Sequence, residues 1–152
     1  MQIEVVKDIE DAVKCDELLT KLICSESKFD KNLKNDYVVN GYFENKYREK
    51  NNVLFAAKNN KKEIIGYAYC KIITDDNGPT IFHIALLDGL YVDSQYRNQG
   101  IATKLINECK KWSKDIGAKI FELNVTSANE NAFKLYKKMG FSEFEKKMRL
   151  EI

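Results

Sequence analysis

One stretch constrains this chain more than any other: an apolar strand enters a glycine-containing turn and passes straight into an amphipathic helix. It reads Leu90-Tyr91-Val92-Asp93-Ser94-Gln95-Tyr96-Arg97-Asn98-Gln99-Gly100-Ile101-Ala102-Thr103-Lys104-Leu105. The first N–H groups of a helix lack intrahelical acceptors, and the aligned peptide dipoles place partial positive charge there. A phosphate can therefore settle against them without any side chain. Gly100 lacks the Cβ that would hold such a group away. The helix is expected over about Gln99 to Ile116, with Ile101, Leu105, Ile106, Cys109, Trp112 and Ile116 as its apolar stripe and Gly117 as its stop.

Periodicity assigns the rest of the chain. Ile3 to Val6 is β-branched and reads as a strand, with Asp8 as the cap of a helix whose apolar residues run from Ile9 to Ile23 at three- and four-residue steps. Ser25 to Lys34 is a polar loop, and Asp36 to Arg48 reads as a second helix. Val53 to Ala57 and Ile64 to Ile73 are strands joined at Lys58 to Glu63, the second alternating Tyr67, Tyr69 and Lys71 on one face. The turn Asp75-Asp76-Asn77-Gly78-Pro79 leads to a strand over Phe82 to Val92, in which Gly89 marks a bulge or a close approach. Ile120 to Val125 is a further strand, Asn129 to Met139 a short helix ended by Gly140, and Phe144 to Leu150 a charged edge strand. Strand, crossover helix and strand over residues 86 to 125 imply a parallel pair inside a mostly antiparallel sheet.

At 152 residues the chain has the length of a single domain, 1–152, able to bury roughly two thirds of its unfolded surface. Its 25 basic and 23 acidic residues leave a net charge of +2, which implies neither nucleic acid nor an anionic membrane as partner. Cys15, Cys24, Cys70 and Cys109 are widely spaced and His83 is the single histidine, so no metal site is expected. Free thiols suit a reducing cytoplasm. The start of the chain shows no basic region followed by an apolar stretch, and no 18 consecutive apolar residues occur, so neither export nor membrane spanning is expected.

The spacing Arg97-x-x-Gly100-x-Ala102 after a strand resembles the acetyl-coenzyme A pyrophosphate loop of the GNAT-type N-acetyltransferases. A second segment strengthens the match: Asn129-Glu130-Asn131-Ala132-Phe133-Lys134-Leu135-Tyr136-Lys137-Lys138-Met139-Gly140-Phe141 is similar to the closing segment of that family, and the two stand in the family's order and separation. The resemblance covers residues 82 to 144. It implies an α/β (α+β) GNAT fold: a mixed, mostly antiparallel sheet of six to seven strands with a parallel pair splayed at a β-bulge, flanked by about four helices. It also implies acetyl-CoA as co-substrate.

Acetylating an amine from a thioester requires a held coenzyme, an uncharged amine, stabilisation of an oxyanion and a proton for the thiolate. Coenzyme contacts are expected from Gln99, Gly100, Ile101, Ala102 and Thr103 at the helix start, with Arg97 and Asn98 in the turn. A bulged strand leaves backbone groups unpaired, so Leu90, Tyr91 and Val92 would pair with the pantetheine arm, and the N–H of Tyr91 would face the thioester oxygen. Tyr136 is the general-acid candidate by resemblance, a phenol that stays protonated at neutral pH. Asn129 caps the last helix and, in the family, touches the coenzyme arm. Asp88 interrupts an apolar strand nine residues before Arg97, where diamine-type acetyltransferases carry a Glu that handles the amine. The shorter Asp leaves open direct proton abstraction, a bridging water, or a purely structural carboxylate, with Glu122 and His83 in reserve.

These readings converge on acetyl transfer to a primary amine by direct attack in a ternary complex, a small polyamine-like amine being favoured. An aminoglycoside or a protein amine stays open as acceptor, as does a non-catalytic acetyl-CoA sensor. Asp36, Glu44, Asp75, Asp76 and Asp88 are candidates for lining a cationic groove. The charged final strand offers a surface on which two copies would pair as a homodimer.

Overall fold

The computed structural model describes residues 1–152. Its centre is a twisted sheet of five strands, Gln2–Val5 (β1), Asn52–Lys58 (β2), Ile64–Ile72 (β3), Ile84–Val92 (β4) and Ile120–Leu123 (β5), arranged in sequence order. The first four pair antiparallel, and β4 pairs with β5 in parallel. The continuous run Val53 to Ala57 and the alternating β3 are buried on both faces, because helices cover the sheet on each side.

On one face lies Ile101–Asp115 (α3). Its stripe of Ile101, Leu105, Ile106 and Cys109 is buried against Val53, Phe55, Ala68, Cys70 and Leu87. Full burial of Leu105 or Ile106 stabilises by about 1.5–3 kcal/mol per side chain. Glu130–Lys138 (α4) lays Leu135 and Tyr136 against the edge of this cluster.

The opposite face is covered by Ile9–Glu26 (α1), capped by the Asp8 carboxylate, which accepts from the Asp11 N–H at 2.9 Å. It packs over Leu54, Ala56, Tyr67, Tyr69 and Tyr91 together with the short helix Tyr42–Lys46 (α2). The start of α2 has no cap of its own side chains. Asp16 of α1, 5% exposed, supplies it by accepting from the N–H groups of Phe43 at 2.7 Å and Glu44 at 3.3 Å.

Two expectations need correction. The helix expected from Asp36 to Arg48 shrinks to α2, because Gly41 at φ +74 breaks the backbone ahead of it and β-branched Val38 and Val39 favour extended chain. The strand expected over Phe144 to Leu150 does not form, which leaves five strands rather than six or seven. Phe144, Met148 and Leu150 are 90%, 92% and 85% exposed. Alternating polarity permits a strand but does not provide a neighbour to pair with. The segment ends in ion pairs instead, Arg149 bidentate to Asp30 at 2.7 and 3.0 Å and Lys31 to Glu151 at 2.8 Å.

Candidate active site

The turn after β4 delivers what an anion needs. Ser94–Tyr96 forms a single 3-10 turn, Asn98 and Gly100 take left-handed conformations at φ +61 and +76, and α3 then begins. The first helical bond runs from Lys104 N–H to the Gly100 carbonyl at 3.1 Å, so the N–H groups of Ile101, Ala102 and Thr103 precede it without intrahelical acceptors. No side chain caps them and no acidic residue occupies the first turn, whereas α1 and α4 are capped by Asp8 and Asn129. A Cβ built on Gly100 would meet nothing within 4 Å, so the space in front of the helix is open. These residues fit a coenzyme pyrophosphate. Arg97 is tied in the turn, its Nε donating to the Val92 carbonyl at 3.0 Å and its guanidinium lying 5.5 Å from the Tyr91 ring centre.

The bulge expected near Gly89 is present, and the extra residue is Asp88: Tyr69 stands opposite Gly89 while Cys70 stands opposite Leu87. Pairing of β4 with β5 stops at Leu87 and Leu123, so β4 runs on alone from Asp88 to Val92 on that side. Donors along an antiparallel strand alternate in direction. The Asp93 N–H donates to Ile65 of β3 at 2.8 Å, which turns the Tyr91 N–H toward β3 as well. The groups that face the gap are therefore the N–H of Leu90 and of Val92. The Tyr91 N–H, expected to be free, instead faces β3, because the strand's parity fixes which amides the ladder uses. The Tyr91 side chain is buried beneath α1.

A cleft of about 530 Å³ opens beside the bulge on the α1 and α2 face. Tyr37, Tyr42, Phe43, Tyr67 and Tyr69 supply aromatic walls, Leu19 and Ile23 add apolar surface, and Asp88 and Glu49 bring carboxylates. The rings of Tyr67 and Tyr69 each stand 5.1 Å from Phe43 in edge-on contact. Aromatic faces and carboxylates favour a cation, and the lining already holds one: the Lys46 ammonium stands 3.7 Å from Glu49 and 5.4 Å from the centre of the Tyr42 ring. Asp88 is ion-paired with Lys71 at 3.1 Å.

Tyr136 approaches from the opposite face of the sheet, where it packs against the α3-side cluster with its ring 5.9 Å from Phe141. Burial, reinforced by the charge of Glu26, pushes its phenol up to about 12, so it remains protonated throughout the neutral range. The charge of Glu26 bears on Tyr67 too, and burial raises the Glu26 carboxyl above the usual range.

The turn and the bulge lie where the sequence puts them; Asp88 is the bulge residue, Tyr136 lies on α4, and the Asn129 side chain accepts from the Ala132 N–H at 3.3 Å. The sequence missed Lys71 as the partner of Asp88, Tyr67 and Tyr69 as cleft walls, and Glu49 in place of Asp36, Glu44, Asp75 and Asp76. The alternation of Tyr67, Tyr69 and Lys71 was the available signal. The reserve His83 is held in the β3–β4 connection between Thr74 and Asp76, each at 2.9 Å, and Glu122 stands opposite Leu86, before the strands part. No His, Cys, Asp or Glu cluster of three or more is placed to hold a metal ion, and no helix is long and apolar enough to cross a membrane.

Comparison with known proteins agrees with this geometry. Residues 17–141 match the Acetyltransferase (GNAT) family. The chain is 33% identical over 70 residues to the type 1 aminoglycoside N(6')-acetyltransferase of Acinetobacter genomosp. 13, a stretch covering 46% of this chain and 48% of that protein. It is 35% identical over 78 residues to thialysine N-epsilon-acetyltransferase of Mus musculus, covering 51% of this chain and 44% of the relative. These matches span between about a quarter and a half of the length of the curated relatives, 27% for an uncharacterized N-acetyltransferase of Methanocaldococcus jannaschii that is 39% identical over 62 residues. The aminoglycoside N-acetyltransferase AAC(6')-Iy, solved in complex with CoA, shares the fold with a TM-score of 0.77 at 19% identity, over 99% of this chain and 98% of that one. A family match over most of the chain, on a fold with an uncapped helix start beside a splayed and bulged strand, leads to one conclusion: the chain belongs to the GNAT family of acetyltransferases.

Proposed function

We propose that this protein transfers an acetyl group from acetyl-coenzyme A to the primary amine of a small, cationic, polyamine-like acceptor, by direct attack while both are bound. The observation that carries this reading is where the aromatic and acidic cleft ends, at Asp88 and Gly89, where β4 leaves its regular pairing. Acetyl-coenzyme A, when bound, supplies the thioester: the ammonium first gives up one proton, the neutral nitrogen then bonds to the carbonyl carbon as the carbon–sulfur bond breaks, and of the two protons nitrogen loses in all, one is matched by the proton that reaches sulfur and the other passes to solvent.

The chain's own groups divide the work. The N–H groups of Ile101, Ala102 and Thr103 hold the pyrophosphate, with Arg97, Asn98, Gln99 and Gly100 shaping the turn. The backbone of Leu90, Tyr91 and Val92 receives the pantetheine arm, with the Leu90 N–H as donor to the carbonyl oxygen and Asn129 flanking the arm. Asp88 draws the cationic amine in and takes up its proton, directly or through water. Tyr136 gives a proton to the departing sulfur. An amino-sugar acceptor is the second reading, favoured by the likeness to the Acinetobacter aminoglycoside acetyltransferase. The largely aromatic walls suit an alkyl cation better. The four free thiols suit a reducing cytoplasm, and the exposed apolar side chains of residues 144–152 supply a face for pairing with a second copy.

Thiol release from acetyl-CoA tests the reading, run with polyamines, amino sugars and lysine peptides for the wild type and Tyr136→Phe. The expected result is release with one amine class, reduced by about 10²- to 10⁴-fold in the variant. Equal rates in the two proteins would remove Tyr136 as the acid. Silence with every amine, while acetyl-CoA still protects against thermal unfolding, would favour a binding module without turnover.

A further inference from the structure

Tyr67 carries a hydroxyl that nothing in the protein satisfies. The residue sits in the middle of β3 with its side chain fully buried, and its Oη is a buried polar atom without a hydrogen-bond partner. No group of the protein replaces the water bonds this hydroxyl gives up on folding, so for the protein's own packing phenylalanine would serve equally well. The partner is to be sought outside the chain.

Gly89 shows where. A Cβ built on it would lie 3.1 Å from both Tyr67 Oη and the ring edge at Cε2. The hydroxyl therefore hangs over the glycine of the bulge, beside Asp88, at the inner end of the cleft. Any larger residue at position 89 would push it aside. Phe43 packs edge-on against the ring, which holds the hydroxyl in one place.

We infer that Tyr67 Oη is a direct contact for the acceptor amine, accepting a hydrogen bond from the uncharged nitrogen so that the nitrogen lone pair is turned toward the acetyl carbon. The inference rests on the acetyl-transfer reading above. Burial, with lesser contributions from Cys15, Glu26 and Asp88, holds the phenol neutral, so the oxygen receives an N–H without becoming an anion. Because the atom is buried, the amine that reaches it is one carried on a slender methylene arm.

The test is Tyr67→Phe in the full chain, which deletes only an unbonded oxygen. Without ligands, the variant is expected to unfold at the wild-type temperature or higher. Its Kd for acetyl-CoA should stay within about twofold, while kcat/KM for the amine falls about tenfold or more, the effect of losing one hydrogen bond. An unchanged kcat/KM would overturn the inference. So would a lower unfolding temperature, which would reveal a structural partner for the hydroxyl. A wild type that binds acetyl-CoA but acetylates no amine would instead refute the acetyl-transfer reading, and this inference would fall with it.

Discussion

Replacing Gly100 by alanine separates what the turn does for the fold from what it does for the coenzyme. Gly100 sits at φ +76, where an L-residue costs roughly 1–2 kcal/mol more than in the right-handed region. No protein atom lies within 4 Å of the added Cβ, so no steric term joins that strain. For a chain of this length, 1 kcal/mol moves Tm by about 2–4 °C, so the ligand-free variant should melt about 2–8 °C lower. Gly117, at φ +99 beyond the other end of α3 and equally free of neighbours, provides the control: Gly117→Ala carries comparable strain far from the turn. The two variants should part company on acetyl-CoA. At position 100 the methyl enters the space in front of the Ile101, Ala102 and Thr103 N–H groups. Loss of one charge-assisted hydrogen bond there, about 1.5–3 kcal/mol, weakens Kd about 10- to 150-fold. Calorimetric titration with acetyl-CoA, beside ligand-free thermal unfolding, reads both quantities. If the variants bound acetyl-CoA within about threefold of each other, a difference below 1 kcal/mol, the uncapped helix start would not be the pyrophosphate site.

Two further outcomes follow from named contacts. Asp16→Ala leaves the Phe43 and Glu44 N–H groups without their carboxylate, so denaturant unfolding should show a loss of about 3 kcal/mol, and KM for the amine should rise while Kd for acetyl-CoA holds, since α2 walls only the acceptor cleft; a loss near zero would mean water replaces the cap. The bidentate Arg149 guanidinium holds the Asp30 carboxyl down at about 2, below its unfolded value near 3.9, so the contribution of this pair is present above about pH 4 and is lost as pH falls toward 2. NMR shifts of the Arg149 and Asp30 amides should move together across that window and stay flat in Asp30→Asn; motion outside the window would assign the docking of the tail to other groups.

How much of the site could be read in the chain depends on whether its signal is local. The strand, glycine turn and helix of residues 90–105 are contiguous, so their order alone implied free N–H groups, and the structure places them there without a cap. Asp88 stood out because a carboxylate inside an apolar strand is costly and requires a reason. The ion pair with Lys71 was not legible, since it depends on β3 and β4 meeting in one register across the bulge. The free amides of β4 illustrate the same limit: the sequence points to the Tyr91 N–H, and only the parity of the β3 ladder shows that the Leu90 and Val92 N–H groups are the ones that face the gap. The tail errs in the other direction. Its alternation of Phe144, Met148 and Leu150 with charged residues is a true strand pattern, but a strand exists only when a neighbour's backbone is within reach.

By itself, then, the sequence determined the glycine turn and uncapped start of α3, the buried stripe of that helix and the carboxylate at the bulge, because each is set by residues close together in the chain. Tertiary structure alone decided the aromatic cleft, in which Tyr67 and Tyr69 of β3, Phe43 of α2, Glu49 and the α1 side chains meet across distant parts of the chain. It also left the Tyr67 hydroxyl buried and unpaired beside Gly89, because whether a polar atom finds a partner depends on everything packed around it.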